Sequence, residues 1–328
     1  MRRYYIEQKL KSAAAFLIIL ILLPYIVSVF VRGTGVRADR KEEETYVQVK
    51  TEDARGEIQT EELAWTEYLV GILAEDLPRD TEHEAVKAQA VLVRTSLYQT
   101  LSKEDKTLES DYLTRGEMQE KWGLSDYQEI YDSYVQAVEE TDNLVLWYGD
   151  GYPWVPFHQS SNGMTRSAEE VTGSKDYPYI AAKECPLDKE AEDEIQVFSF
   201  GYSEIQEKCR DFLVAAEGED EARQGYSFED FEIQSRDSSG YVQKLRIGKT
   251  VCTGDQFRDA LSLPSSDFSF SEDGNKMKIT TSGKGHGLGM SLWTANEMAK
   301  EGKTCEEILN FFFEGTSLKN DVQESDLI

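Results

Sequence analysis

The residues best suited to proton transfer stand at the end of a helix-forming segment. Glu75 and Asp76 close a mostly apolar run, and Pro78 follows them and stops a helix. A carboxyl group in apolar surroundings has a raised pKa and can act as a general acid. The pair therefore indicates an acid–base site, although the same spacing is also typical of acids exposed at a helix end.

Two other segments place histidine among small polar residues and glycine. In FHQSSNG, residues 157–163, the groups of His158, Ser160 and Ser161 suit sugar hydroxyls, which need paired donors and acceptors. An ordinary Ser/Asn turn has the same composition. In GKGHGLGMS, residues 283–291, four glycines alternate around His286 and allow the backbone to approach a ligand or another chain closely.

Several common site motifs do not fit these segments. Lys284 is followed by glycine rather than Ser or Thr, which excludes a P-loop, and Ser291 lacks the G-x-S-x-G spacing of a nucleophile elbow. A zinc peptidase built on His158 and His286 stays an alternative, but the HExxH spacing is missing. No CxxC motif is formed, and the sequence leaves the pairing of four cysteines open: Cys185, Cys209, Cys252 and Cys305.

The 328-residue chain carries a formal net charge of −27. A phosphate backbone would repel so acidic a chain, which argues against nucleic acid as a partner. The charge otherwise bears on solubility and not on fold or activity. Hydrophobic residues make up 40% of the chain, enough to form a real core.

An uncharged apolar segment over residues 13–31 predicts one membrane-spanning helix. As a helix it would be roughly 29 Å long, which matches the hydrocarbon core of a bilayer. Basic residues precede it, so we expect residues 1–12 to form a cytoplasmic tail and the rest to be extracytoplasmic. A cleaved signal peptide is the alternative, although its apolar region is normally about 7–15 residues long.

The remaining pattern predicts a stalk over 32–60, with a short strand at Tyr46–Lys50, and one large α+β domain over 61–320. A helix is expected from Glu61 to Pro78, and a second one, starting at a capping box of Thr81 and Glu84, up to Leu101. Further on, the pattern predicts four strands and a closing helix: 143–147, 242–247, 268–270, 277–281 and 297–313.

Four of these segments, in this order, resemble the stage II sporulation protein D family, which includes amidase enhancers. Residues 70–98 are similar to its helix pair with the run KAQAV and an Arg-Thr pair, and residues 157–171 to its His-Ser-x-Ser-x-Gly segment. Residues 254–263 resemble its G-x-x-F-R-x-x-L-x-L turn. Residues 283–318 resemble its closing motif, so the likeness covers nearly the whole predicted domain.

The resemblance implies a lytic transglycosylase that cleaves peptidoglycan between N-acetylmuramic acid and N-acetylglucosamine during engulfment in sporulation. In such enzymes the muramic acid's own 6-hydroxyl attacks the anomeric carbon, so one carboxyl group can serve as acid and base and a 1,6-anhydro sugar results. The implied partners are glycan strands, a cell-wall amidase and membrane proteins of the engulfment machinery. No cofactor is implied.

The resemblance also assigns residues. Asp76 stands where the family has its catalytic glutamate, with Glu75 as the reserve candidate, and aspartate is one methylene shorter. Some relatives hold zinc with cysteines, but no cysteine is near His158 in sequence, so we predict no metal. Leu292 replaces a usual glutamine. The expected substrate-binding residues are His158, Ser160, Ser161, Lys87, Arg94, His286 and Ser291, with a scaffold role for Arg94 about as plausible.

A second reading of the same residues is a glycan-binding protein without catalytic activity that stimulates a cell-wall amidase. The aspartate at position 76 is its main support, because about 1 Å of misplacement can cost roughly 100-fold in rate.

Overall fold

A computed structural model describes residues 45–52, 56–102, 107–213 and 225–320. The compact unit that contains them begins at Thr45. The predicted tail and membrane helix over 1–31 lie outside the described residues, as does the stalk before Thr45. Within the described ranges, no helix combines the length and the apolar character needed to cross a membrane.

Helices and strands are mixed along the chain, as expected for the predicted α+β class. The elements are β1 (Tyr46–Glu52), β2 (Ile58–Ala64), α1 (Trp65–Asp76), α2 (His83–Leu101), α3 (Arg115–Trp122), α4 (Tyr127–Glu140), β3 (Val145–Trp147), β4 (Phe157–His158), α5 (Ala168–Thr172), β5 (Ile195–Gly201), α6 (Tyr202–Lys208), β6 (Phe231–Arg236), β7 (Val242–Ile247), β8 (Thr250–Cys252), α7 (Gly254–Leu261), β9 (Phe268–Asp273), β10 (Lys276–Ser282), β11 (Met290–Ser291), α8 (Leu292–Lys300), α9 (Cys305–Phe312) and β12 (Ser317–Lys319).

The first folded element is an antiparallel hairpin of β1 and β2. Val47 and Val49 of β1 are buried while Tyr46 and Gln48 are exposed, the period of two that a strand with one buried face requires. The predicted strand near Tyr46 is confirmed. The predicted helix start at Glu61 is wrong, because residues 58–64 pair with β1 and the helix begins at Trp65.

Helices α1 and α2 form the centre of the helical core, in which Tyr68, Leu69 and Leu73 are fully buried. The end of α2 at Leu101 agrees with the prediction, but the capping box does not form. Thr81 donates its hydroxyl to the carbonyl of Pro78 instead, at 2.7 Å.

The predicted closing helix over 297–313 is two helices, α8 and α9. Gly302 has a φ of +86°, a left-handed conformation that ends α8, and Thr304 starts α9 with a capping box to Glu307. Both helices pack on α2 in the helical core.

A second core, the strand core, is formed by residues of two three-stranded sheets, of order β5-β10-β9 and β6-β7-β8, together with helices α6 and α7. Its centre contains fully buried residues such as Phe257, Leu245 and Ile279. The predicted strands over 242–247, 268–270 and 277–281 are confirmed within β7, β9 and β10. The four cysteines are buried free thiols, two in each core.

Candidate functional site

Asp76 is the last residue of α1 and lies between the helical core and solvent. Its side chain is partly exposed, whereas that of Glu75 is exposed. Two glutamine amides fix its position. The Nε2 of Gln89 in α2 donates to Asp76 Oδ2 at 2.9 Å, and the Nε2 of Gln159 donates to the Asp76 backbone carbonyl at 2.8 Å.

The environment of Asp76 favours its protonated form. Burial raises the pKa of Asp76 to about 6, and the negative charge of Glu75 acts in the same direction. The Gln89 amide and the Lys121 ammonium hold this pKa down in part. A carboxyl group with a pKa of about 6 exists in both protonation states near neutral pH, which a residue that both donates and accepts a proton requires.

Lys121 also completes the end of α1. Its Nζ donates to the carbonyls of Ala74 at 2.6 Å and Glu75 at 3.2 Å. These carbonyls belong to the last turn, where a helix has carbonyl groups without an intrahelical partner and a partial negative charge. The ammonium group therefore stabilises the turn that carries both acids.

The two histidine-containing segments pair with each other. Strand β4 lies parallel to β11, and Ser160 exchanges two backbone hydrogen bonds with Lys284. Gly289, at a φ of +70°, is required for this contact, because a Cβ atom there would overlap the carbonyl oxygen of Pro156. The alternating glycines thus allow close approach to another segment of the same chain.

His158 and His286 face each other with their ring centroids 5.8 Å apart. The backbone of Leu288 connects them, since the His158 Nδ1–H donates to the Leu288 carbonyl at 3.0 Å and the Leu288 N–H donates to His286 Nδ1 at 3.0 Å. Burial lowers the pKa of each imidazole to about 4. Both rings are therefore neutral at pH 7, and the hydrogen bond of His158 joins the two segments, while that of His286 lies within its own segment.

Asp188 is a buried acid that the sequence reasoning did not identify. Its carboxylate accepts hydrogen bonds from the Ser161 N–H at 2.6 Å, the Ser291 hydroxyl at 2.7 Å and the Thr294 hydroxyl at 2.6 Å. Ser161 and Ser291 are themselves fully buried. These two predicted substrate-binding residues therefore connect the fold beneath the site, and Ser160 donates to buried Glu194 at a long 3.4 Å.

Lys87 and Arg94 share a face of α2 that does not include Gln89. Lys87 pairs with Glu84 at 2.8 Å, and buried Arg94 donates to the carbonyls of Val138 and Leu144. Because successive helix residues are rotated by about 100°, Gln89 points about 200° away from Lys87. The contacts of Arg94 are consistent with the scaffold role considered for it, and the substrate-binding role of Lys87 stays a prediction.

Within the described ranges, no three His, Cys, Asp or Glu side chains converge as metal ligands would. For the zinc-peptidase alternative, the backbone of Leu288 engages one nitrogen of His158 and one of His286, so each ring has a single nitrogen left for a metal.

Comparison with known proteins addresses the resemblance directly. Residues 53–148 match the family model described as stage II sporulation protein. Stage II sporulation protein D of Bacillus subtilis (strain 168) is 28% identical over 270 residues, which cover 79% of this chain and 75% of the relative. The Bacillus amyloliquefaciens protein of the same name is 29% identical over 278 residues, 81% and 76% of the two chains. An uncharacterized protein of Brachyspira hyodysenteriae is 28% identical over 262 residues, 78% of this chain and 67% of the relative.

The predicted resemblance to stage II sporulation protein D is confirmed.

The match to the stage II sporulation protein family covers only part of the Asp76 surroundings. Asp76, Gln89 and Lys121 lie inside residues 53–148, whereas Gln159 and Asp188 lie beyond them. Gln89 could have been found from sequence as the residue of α2 facing the end of α1. Asp188 lies in a short acidic stretch, and its local pattern shows no sign of burial.

Proposed function

We propose that this protein is a membrane-anchored lytic transglycosylase that acts on peptidoglycan glycan strands during engulfment in sporulation. The observation that carries the proposal is Asp76, a partly buried acid whose pKa is raised to about 6 and whose orientation is fixed by Gln89. The sporulation context comes from the similarity to stage II sporulation protein D. The anchor is the uncharged segment over 13–31.

The proposed reaction uses one carboxyl group for both proton transfers. Protonated Asp76 donates its proton to the glycosidic oxygen as the bond to the anomeric carbon breaks, which leaves a carboxylate. The muramic acid 6-hydroxyl attacks the anomeric carbon and gives its proton to that carboxylate. Asp76 returns to its protonated state, and the products are a 1,6-anhydro end and a free hydroxyl end.

Glu75 is less suited to this role. It is exposed at the end of α1, so solvent rather than protein surrounds its carboxyl group. Successive residues of a helix point about 100° apart, so Glu75 cannot present its carboxyl where Asp76 does without a change of the backbone.

The test is digestion of purified glycan strands by the purified protein, with 1,6-anhydro ends measured by mass spectrometry. We expect anhydro ends with the unaltered protein and with Glu75→Gln, and a loss of at least about 1000-fold with Asp76→Asn, which lacks an ionisable group. Anhydro ends formed at the same rate by Asp76→Asn would contradict the assignment.

A second function, a glycan-binding activator of a cell-wall amidase, is favoured by the aspartate where the resemblance implies glutamate. Strand binding without anhydro ends, together with faster strand processing by an added amidase, would support it.

A further inference from the structure

Partly exposed side chains form a line along the stretch of chain that reaches Asp76. Trp154, Phe157 and Gln159 are partly exposed, whereas the residues between them are buried. Pro153 and Pro156 hold this stretch extended, since proline fixes its own φ and disfavours helix in the residue before it. Val155 and Pro156 are both buried, which interrupts the strict alternation of an extended chain, so Trp154 and Phe157 are both partly exposed, as is Gln159 two residues further on.

The outer end of this line continues into a group of stacked rings. Trp154 meets Tyr177 with ring centroids 5.1 Å apart, and Tyr177 meets buried Tyr179 at 6.4 Å. Tyr148, which is 36% exposed, packs on Tyr179 at 4.5 Å. The Trp154 backbone N–H donates to the Tyr179 hydroxyl at 3.0 Å, which fixes the ring group to the extended stretch.

The inner end is attached to the candidate catalytic acid. The side-chain amide of Gln159 donates to the Asp76 backbone carbonyl at 2.8 Å. The backbone carbonyl of Gln159 accepts from the backbone N–H of Trp293 at 3.0 Å. An extended chain rises about 3.3 Å per residue, so Trp154 and Gln159 are roughly 16 Å apart along it. That length exceeds one sugar ring.

We propose that Tyr148, Tyr177, Trp154, Phe157 and Gln159 form an aromatic track that binds the glycan strand on one side of the bond cleaved at Asp76. The inference rests on the proposed function and names a binding surface for its substrate. None of the five side chains is charged, in a chain with a net charge of −27. Aromatic faces with an amide and two phenol hydroxyls suit a ligand with apolar faces and hydroxyl edges, which describes a saccharide.

The track has a specific consequence for strand length. A short fragment held at Asp76 does not reach Trp154, while a long strand covers both. Loss of the Trp154 ring should therefore weaken binding of long strands and leave short fragments unaffected.

The experiment measures binding by the full-length protein carrying Asp76→Asn, so that strands stay intact. The probes are purified glycan strands without stem peptides, as a long fraction and as a disaccharide. We expect Trp154→Ala to weaken binding of the long fraction by about 10-fold, since large aromatic residues dominate binding surfaces. Trp154→Phe, which keeps a ring, should retain most of the affinity.

Tyr131→Ala is the matched control, because Tyr131 is a partly buried surface tyrosine on α4 that contacts Arg115 and Tyr127. It should bind both fractions normally. Since Trp154 also packs on the helical core, Tyr148→Ala at the exposed end of the track provides a second test in case Trp154→Ala misfolds. A loss by Tyr148→Ala that is confined to the long fraction supports the track.

Unchanged binding of the long fraction by Trp154→Ala and Tyr148→Ala would overturn the inference, as would equal losses for both fractions. The result is separable from the proposed function. If strand binding depends on the track but the unaltered protein forms no anhydro ends, the proposed activity is wrong and the aromatic track stands. If the unaltered protein forms anhydro ends and both variants bind long strands normally, the aromatic track is wrong and the proposed activity stands.

Discussion

Asp76 and Asp188 are both aspartates whose pKa is raised by burial, and their surroundings are otherwise opposite. Asp188 has no exposed surface, and its carboxylate accepts from one backbone N–H and two hydroxyls. Asp76 is partly exposed and accepts from the Gln89 amide. The direction of the pKa shift therefore does not separate a structural acid from a reactive one.

The difference lies in what satisfies each carboxylate. The donors around Asp188 occupy its oxygens and tie the segment of Ser161 to the start of α8. Asp76 keeps contact with solvent, where a substrate can approach it. A buried acid surrounded by donors supports the fold, and a half-buried acid with one fixed oxygen is available for proton transfer.

The largest expected effect comes from removing the structural acid. Asp188→Ala leaves three buried donors without their acceptor, so we expect a loss of about 4 kcal/mol in the free energy of unfolding. Urea unfolding followed by circular dichroism measures it. Asp150→Ala, in an exposed turn, is the control and should change stability by less than about 0.5 kcal/mol. Equal stability of the two variants would contradict the structural role of Asp188.

Asp76, the proposed catalytic acid, should show the opposite behaviour, because its ionisation costs stability. The folded-state pKa of about 6 lies above the ordinary 3.8, so the folded protein binds a proton more tightly than the unfolded chain. Stability is therefore full below about pH 4 and falls as the pH rises to about 6. Asp76→Asn should be up to about 3 kcal/mol more stable than the unaltered protein at pH 8 and equal to it at pH 4.

Thermal unfolding at the two pH values tests this behaviour, with Glu75→Gln as the matched control on the adjacent exposed position. We expect the control to stay within about 0.5 kcal/mol of the unaltered protein. A gain by Asp76→Asn that is the same at pH 4 and pH 8 would show that ionisation is not its cause.

Gln89 tests how the orientation of Asp76 matters. Its amide lowers the pKa of Asp76, so Gln89→Leu should raise that pKa further and, if Asp76 is the acid of the proposed reaction, move the alkaline limit of glycan cleavage to higher pH. Loss of a fixed carboxyl should also reduce the maximal rate by about 10-fold. The pH–rate profile is the measurement, and Gln128→Leu, an exposed glutamine bonded to Asp132 on α4, is the control. A reduced rate with an unchanged pH–rate profile would show that Gln89 supports the fold and does not set the pKa of Asp76.

Local patterns predicted most of the fold because they report on short stretches of chain. The end of α2, strand β7 and the α+β class follow from periodicity and turn residues. The hairpin of β1 and β2 was half missed, since residues 58–64 are mostly polar and become a strand only by pairing with Tyr46–Glu52. The closing helix was predicted as one, because its apolar period continues across the break at Gly302.

The site was less predictable because its contacts join distant parts of the chain. Asp76 could be proposed from its position before Pro78, but its partner Gln159 is 83 residues away. Asp188 meets Ser291 and Thr294 across more than 100 residues. Sequence shows which groups are polar, and only the fold decides which of them point at each other and which face solvent.

The smallest expected effects distinguish two neighbouring serines that the sequence reasoning treated alike. The Ser160 hydroxyl makes a long contact to Glu194, which also accepts from the Ser282 hydroxyl at 2.8 Å, so Ser160→Ala should cost less than about 0.5 kcal/mol. The Ser161 hydroxyl accepts the Gly163 N–H at 3.2 Å in a buried position, and Ser161→Ala should cost about 1 kcal/mol.

Each variant serves as the other's control, with urea unfolding and glycan-strand affinity measured on both. If Ser160 positions glycan as the resemblance implies, Ser160→Ala weakens strand affinity more than it weakens the fold. The reverse holds for Ser161, which has no exposed surface, whereas Ser160 is 4% exposed. A larger loss of affinity at Ser161 than at Ser160, with stability unchanged, would mean that the paired segments open to admit the strand.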